Sequence, residues 1–76
     1  SLPGVYALLG RVALVKQQNL SAQSFFQKAT NESPNDGLAW WGLAQAQVAL
    51  GNKSVARKSA QRAVDLGIAE AKIFIK

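Results

Sequence analysis

The sequence of 76 residues contains no cysteine, no histidine and no methionine. Without cysteine, neither a disulfide framework nor a thiolate metal site can form. Without histidine, the chain lacks the commonest general base and the commonest metal ligand. Because the first residue is serine rather than methionine, we expect the sequence to be a segment of a longer protein.

Acidic residues are also scarce, with four Asp and Glu against nine Lys and Arg and a net charge of +5. This balance favours acidic partners. The chain has no glycine-rich phosphate loop and no nucleophile beside a base, so we predict no enzymatic activity and no catalytic residue. We likewise predict no metal site and no cofactor. No apolar run approaches the ~20 residues that a membrane-spanning helix needs.

Several residues recur at a constant spacing. The aromatic residues Tyr6, Trp40 and Phe74 lie 34 residues apart. The same spacing separates four further pairs, namely Leu9 and Leu43, Ala22 and Ala56, Gln27 and Gln61, and Ala29 and Ala63. A concerted set of matches at one offset indicates a duplicated structural unit.

The first unit, residues 3–36, resembles the tetratricopeptide repeat. The positions that carry this resemblance are Tyr6, Leu9, Gly10, Ala22, Phe26, Ala29 and Pro34. The second unit, residues 37–70, matches at Trp40, Leu43, Ala44, Ala56 and Ala63. It departs from the pattern at Ala60, where an aromatic residue is usual, and at Ile68, where proline is usual. Residues 71–76 resemble the start of a third unit or a terminal helix.

The resemblance implies an all-α fold of tetratricopeptide-type helix-turn-helix repeats. Two full repeats and the start of a third would form a right-handed solenoid segment. The alternatives are an unrelated helical bundle with chance spacing and a DNA-binding helix-turn-helix, although neither of these would produce the 34-residue spacing.

The spacing of apolar and turn-forming residues independently predicts helices near 4–16, 21–32, 37–50, 54–66 and 69–76. Ser21 is a candidate N-cap for the second helix. Gly51 and Gly67 are expected to adopt the left-handed conformation just past helix ends.

Small residues would let the two helices of each hairpin approach closely, and these are Gly10, Ala22, Ala29, Ala44, Ala56 and Ala63. A glycine inside a helix costs about 1 kcal/mol relative to alanine, so we expect Gly10 to be present for close packing. Tyr6, Phe26 and Trp40 would fill the gaps between the helices.

The family resemblance also implies that the first helix of each hairpin lines a concave groove that binds another protein. The groove residues predicted here are Arg11, Leu14, Val15, Leu38, Trp41, Gln45, Val48 and Lys72. This mostly apolar surface suits an amphipathic helix or an extended peptide with some acidic residues.

Two residues of the second hairpin have a special place in this prediction. Trp41 follows the core aromatic Trp40, and it is either a binding hot spot or a packing residue against a neighbouring repeat. If it is a hot spot, Trp41→Ala should weaken binding by ~2 kcal/mol and leave helix content intact. Gly42 beside it would let a ligand approach the backbone closely.

The best-known site of the family is a clamp for the carboxylate tails of chaperone partners. Lys72 and Lys76 fit two of its five positions, whereas Ala7, Arg11 and Gly42 do not fit the other three. We therefore do not expect chaperone-tail binding.

Self-association is an alternative function. The apolar residues Ile73, Phe74 and Ile75 would leave the C-terminal end uncovered, so the segment could be structural and bind other copies, even by exchanging a helix.

A second alternative concerns the basic residues Lys53, Arg57, Lys58 and Arg62, which we assign to one outer face of the fourth helix. This face would bind nucleic acid or an anionic membrane, or it is simply a solvated convex surface. No aromatic residues interleave with these charges as they do in single-strand binders. The alanine- and glutamine-rich repeats resemble bacterial ones, which serve in envelope assembly, export and scaffolding.

Overall fold

The computed structural model describes residues 4–75, and all of its regular secondary structure is helical. Four α-helices are α1 (Val5–Val15), α2 (Asn19–Glu32), α3 (Gly37–Ala49) and α4 (Lys53–Asp65). A short 3₁₀ segment follows at Ala69–Phe74. The predicted all-α class is confirmed. Pro3 and Lys76, which we assigned to the first and third units, lie outside the described residues.

Loops of three residues join α1 to α2 and α3 to α4, so each pair packs as an antiparallel hairpin. The two hairpins have the same register, because α1 and α3 end 34 residues apart and α2 and α4 begin 34 residues apart. No helix among residues 4–75 is long and apolar enough to cross a membrane.

The helix C-termini explain the positions of the glycines. Gly51 and Gly67 have φ values of 83° and 101°, and each follows the last residue of a helix as predicted. The amide of Gly51 donates to the carbonyl of Val48 at 2.9 Å, and the amide of Asn52 donates to that of Gln47 at 2.9 Å. These two bonds define a Schellman motif.

The same motif closes α1, although a glutamine occupies the left-handed position. Gln17 has a φ of 60°, its amide bonds to Leu14 at 3.0 Å, and the next amide bonds to Ala13 at 2.8 Å. Gln17 therefore occupies the position that Gly51 occupies in the second hairpin. A residue with a Cβ is strained in this conformation.

We expect Gln17→Gly to stabilise the chain by up to about 1 kcal/mol, because glycine relieves the left-handed strain at the end of α1. Gln17→Ala keeps the Cβ and serves as the matched control, with little expected change. Urea denaturation followed by circular dichroism measures both. A destabilised glycine variant would mean that the glutamine side chain contributes more than the strain removes.

Two expectations about helix boundaries are wrong. Ser21 is not a cap, because α2 begins two residues earlier at Asn19 and its N-cap, Gln18, makes no side-chain capping bond. The last segment was expected to be a helix over 69–76, but it is a 3₁₀ helix ending at Phe74. Segments this short commonly adopt i→i+3 bonds, since helix nucleation is costly and few bonds follow it.

The core consists of two clusters that share α3. The first joins α1, α2 and α3 through Ala13, Ala22, Phe26, Leu43 and Ala46. The second joins α3, α4 and the 3₁₀ segment through Ala44, Ala60, Ala63 and Ala71. Half-buried Trp40 packs against both clusters, and its Nε1 donates to the carbonyl of Pro34 at 2.8 Å.

Small residues let the helices approach, as predicted. All six of the predicted small positions are buried, namely Gly10, Ala22, Ala29, Ala44, Ala56 and Ala63. Phe26 is 1% exposed and fills the centre of the first cluster, whereas Tyr6 and Trp40 are only half-buried. A buried hydrogen bond from Ser59 Oγ to Gln47 Oε1, 2.7 Å long, joins α3 to α4 and was not predicted.

Candidate functional site

A groove runs between α1 and α3 on one side of the molecule. Its main cavity has a volume of about 420 Å³. Four predicted binding residues lie together there, namely Arg11, Leu38, Trp41 and Gln45. Other residues complete the lining, namely Gly4, Ala7, Leu8, Phe26, Asp36 and Gly42.

The groove continues past Arg11 and Gln45 towards the C-terminal end of α1. These two residues also line an adjoining open recess of about 420 Å³ with Leu14 and Val15. Six of the eight predicted residues thus lie along one continuous surface, which we call the α1–α3 groove. Helical spacing brings Leu38, Trp41 and Gln45 to one side of α3, because they are three and four residues apart.

The walls of the groove are apolar and accessible. Leu8 is 59% exposed and Leu38 is 63% exposed, and they come from α1 and α3 respectively. Val15 is also exposed at the far end. Accessible apolar side chains that converge on one concavity indicate a binding surface.

Phe26 and Gly42 form the floor of the groove, and here one expectation is wrong. Gly42 was expected to let a ligand approach the backbone, but it is buried against the Phe26 ring. A Cβ built on Gly42 would overlap ring atoms Cε1 and Cζ. The space beside Gly42 therefore belongs to the core. Phe26 was missed as a groove residue because it comes from α2, the second helix of the hairpin.

Trp41 has the packing role that the sequence left open. Its ring is half-buried, with its centroid 5.2 Å from that of Phe74 and an interplanar angle of 35°. Trp41 therefore holds the 3₁₀ segment against α3 while another part of it lines the groove. Truncating Trp41 would remove both contacts, so Trp41→Ala alone cannot report on binding.

Charges lie at two places in the groove. Arg11 is exposed near its middle, where the main cavity meets the adjoining recess. Asp36 lines the main cavity at the N-terminus of α3, where its Oδ1 accepts bonds from the amides of Leu38 and Ala39 at 3.1 and 3.4 Å. We did not predict that Asp36 caps α3 and lines the groove. The available signal was an acidic residue directly before the start of a helix.

Two predicted residues lie away from this groove. Val48 belongs to a separate recess of about 220 Å³, where it lies with Lys53, Arg57, Ile73 and Phe74. Lys72 is exposed on the 3₁₀ segment and lines neither the groove nor this recess. The family pattern assumes that a full helix follows α4, and a 3₁₀ segment changes the direction of its side chains.

The basic residues do not share one face of α4. Each residue advances by about 100° around an α-helix, so Lys53 and Arg62 lie on opposite sides. Lys53 and Arg57 face the recess that contains Ile73. All four are exposed, but only the pairs four residues apart, Lys53 with Arg57 and Lys58 with Arg62, share a side. The expectation of a single basic stripe is therefore wrong.

Two acidic residues meet in a small crevice. Glu32 and Asp36 both line it, and its volume of about 10 Å³ is close to that of a single water site. Over residues 4–75, no three Asp, Glu, His or Cys residues lie close enough together to hold a metal ion.

Comparisons with protein-family models, with curated proteins and with solved structures gave no match to this chain.

Proposed function

We propose that this chain is a protein-interaction module that binds a short amphipathic helix or extended peptide in the α1–α3 groove. The observation that carries the proposal is the pair of exposed apolar walls formed by Leu8 and Leu38 around a cavity of about 420 Å³. Arg11 in the middle of the groove favours a partner with an acidic residue among apolar ones.

The proposed architecture is a pair of tetratricopeptide-type repeats in a right-handed solenoid segment of a larger scaffold. It is supported by the equal register of the two hairpins and by the burial of the matching small residues. The 3₁₀ segment packs against α3 and α4 where a third repeat would begin. In such an array the first helix of each pair faces the ligand, which is consistent with a groove lined by α1 and α3.

The test uses peptides selected from a displayed library of short random sequences against the chain. We expect Leu38→Ser to weaken the selected peptides by about tenfold, since an exposed apolar wall residue would become a contact residue. Val55→Ser is the matched control, because Val55 is 50% exposed on α4 and lies outside the groove. Fluorescence anisotropy of labelled peptides gives both affinities.

Equal losses for Leu38→Ser and Val55→Ser would contradict binding in the groove. So would a selection that returns only peptides unaffected by Leu38→Ser. Helix content measured by circular dichroism should stay unchanged in both variants, because both side chains are more than half or about half exposed.

Self-association is a second candidate function, and the outer surface of α1 favours it. Leu9 and Val12 are 39% and 44% exposed there, and they continue the apolar surface from Leu8 and Val15. The C-terminal end is better covered than we expected, since Ala71 is buried and Phe74 packs on Trp41, although Ile73 remains exposed. The unpartnered apolar surface is thus larger on α1.

If the chain self-associates through α1, sedimentation equilibrium should show a mass that rises with concentration. Val12→Lys should abolish this dependence, because a charge would be desolvated in an apolar contact. Val55→Lys on α4 should leave it unchanged. A monomeric mass at all concentrations would exclude this function for the chain.

A further inference from the structure

The recess formed by Val48, Lys53, Arg57, Ile73 and Phe74 is separate from the α1–α3 groove, and we call it the cationic recess. Trp41 and Phe74 form the partition between the two, since Trp41 lines the groove, Phe74 lines the recess and their ring centroids are 5.2 Å apart. We propose that the cationic recess is a second binding site, specific for an acidic peptide segment that carries one bulky apolar side chain.

The charge of the recess indicates the sign of the partner. Two cations line it and no acidic residue does. The four acids of the chain are Glu32, Asp36, Asp65 and Glu70. Two of them have other roles, because Asp36 caps α3 and Asp65 accepts a hydrogen bond from Gln61 Nε2 at 2.9 Å. Carboxylates from a partner would complement Lys53 and Arg57.

The apolar wall indicates that charge alone is not what this site recognises. Ile73 is 62% exposed, and Val48 and Phe74 are half-buried beside it. Ion pairs at an exposed surface contribute little, so an apolar contact with this wall must supply much of the affinity. The volume of about 220 Å³ suits one side chain, because sites for whole small molecules are larger.

The same features disfavour the other anionic partners. Nucleic acid that binds without sequence preference needs aromatic faces between the cations, and the ring of Phe74 is already packed on Trp41. Anionic membranes attract clusters of four or more basic residues. Only Lys53 and Arg57 face the recess, whereas Lys58 and Arg62 lie on another side of α4.

The experiment titrates the ¹⁵N-labelled chain with a capped peptide of sequence Glu-Glu-Phe-Glu-Glu. We expect amide shift changes at Val48, Lys53 and Ile73, and none at Leu8 or Leu38. A peptide with serine in place of phenylalanine should bind at least about fivefold more weakly, because it loses the apolar contact. A peptide with lysines in place of the glutamates should not bind.

Two charge reversals on the same helix locate the site. Lys53→Glu should weaken the peptide by about fivefold, whereas Lys58→Glu, which changes the net charge equally, should weaken it by less than about twofold. Ile73→Ser tests the apolar wall without reversing a charge and should weaken the peptide by about fivefold. Leu38→Ser should have no effect, which separates this site from the α1–α3 groove.

Equal effects of Lys53→Glu and Lys58→Glu would overturn the proposal, since they would indicate attraction to net charge alone. Equal binding of the serine and phenylalanine peptides would also overturn it. So would tighter binding of a single-stranded oligonucleotide, or of phosphatidylserine vesicles, through the same Lys53. Circular dichroism confirms that each variant is folded.

Discussion

Phe26→Ala should lower the free energy of unfolding by about 3–5 kcal/mol, the usual cost of truncating a buried phenylalanine. Phe26 is 1% exposed and contacts the core from the middle of α2. Domains of this length have a total stability of roughly 4–11 kcal/mol, so the variant should be close to unfolded at 25 °C. Thermal denaturation by circular dichroism should show a loss of at least about 12 °C in Tm.

The neighbouring Phe25 provides the matched control, because Phe25→Ala deletes the same atoms one residue away. Phe25 is half-buried, and its ring stacks on Tyr6 with centroids 6.4 Å apart. We expect this variant to lose about 1–2 kcal/mol, since less apolar area leaves the core. Equal losses in the two variants would show that the Phe26 ring is not the centre of the core.

The second large effect concerns Gly42, where alanine should be destabilising although alanine favours helices. A Cβ at Gly42 would overlap Cε1 and Cζ of Phe26. The ring cannot move away freely, because Gly10 lies on its other side, where a Cβ would come within 2.9 Å of Cδ2, Cε2 and Cζ. The ring is therefore held between glycines of α1 and α3.

We expect Gly42→Ala to cost about 2 kcal/mol, because overpacking outweighs the gain in helix propensity of about 1 kcal/mol. Gly10→Ala should cost less, since its overlap with the ring is smaller. Urea denaturation of both variants measures the difference. If Gly42→Ala were more stable than the parent chain, the close approach of α3 to Phe26 would be wrong.

A double-mutant cycle shows whether the ring causes this cost. Leucine at position 26 lacks the ring edge that the new Cβ would meet, so Gly42→Ala should cost less in the Phe26→Leu background. The expected coupling is about 1 kcal/mol, within the range for residues in direct contact. Additive effects would assign the cost to a source other than Phe26.

The helical hairpins and their contact positions could be predicted from the sequence. The 34-residue spacing of Tyr6, Trp40 and Phe74 gave the register, and the small residues such as Ala22 and Ala56 are buried as expected. These features depend on local hydrogen bonding and on which face of a helix is apolar, and both follow from residue spacing along one element.

The candidate site could be predicted only in part, and the errors have one physical origin. Arg11, Leu38, Trp41 and Gln45 line the groove as predicted, because they lie on single faces of α1 and α3. Val48 lies one turn beyond Gln45, yet it faces a different recess because the 3₁₀ segment places Phe74 between them and Trp41. Positions taken from a repeat pattern assume regular neighbours that this chain lacks.

The sequence by itself determined the helical class, the repeat period and the left-handed turns at Gly51 and Gly67, because each depends on residues close together along the chain. The tertiary structure decided how distant residues meet. It placed Phe26 between Gly10 and Gly42, assigned Trp41 to Phe74, and separated the cationic recess from the groove. These contacts depend on the volumes and rotamers of side chains from different helices, which spacing along one helix does not specify.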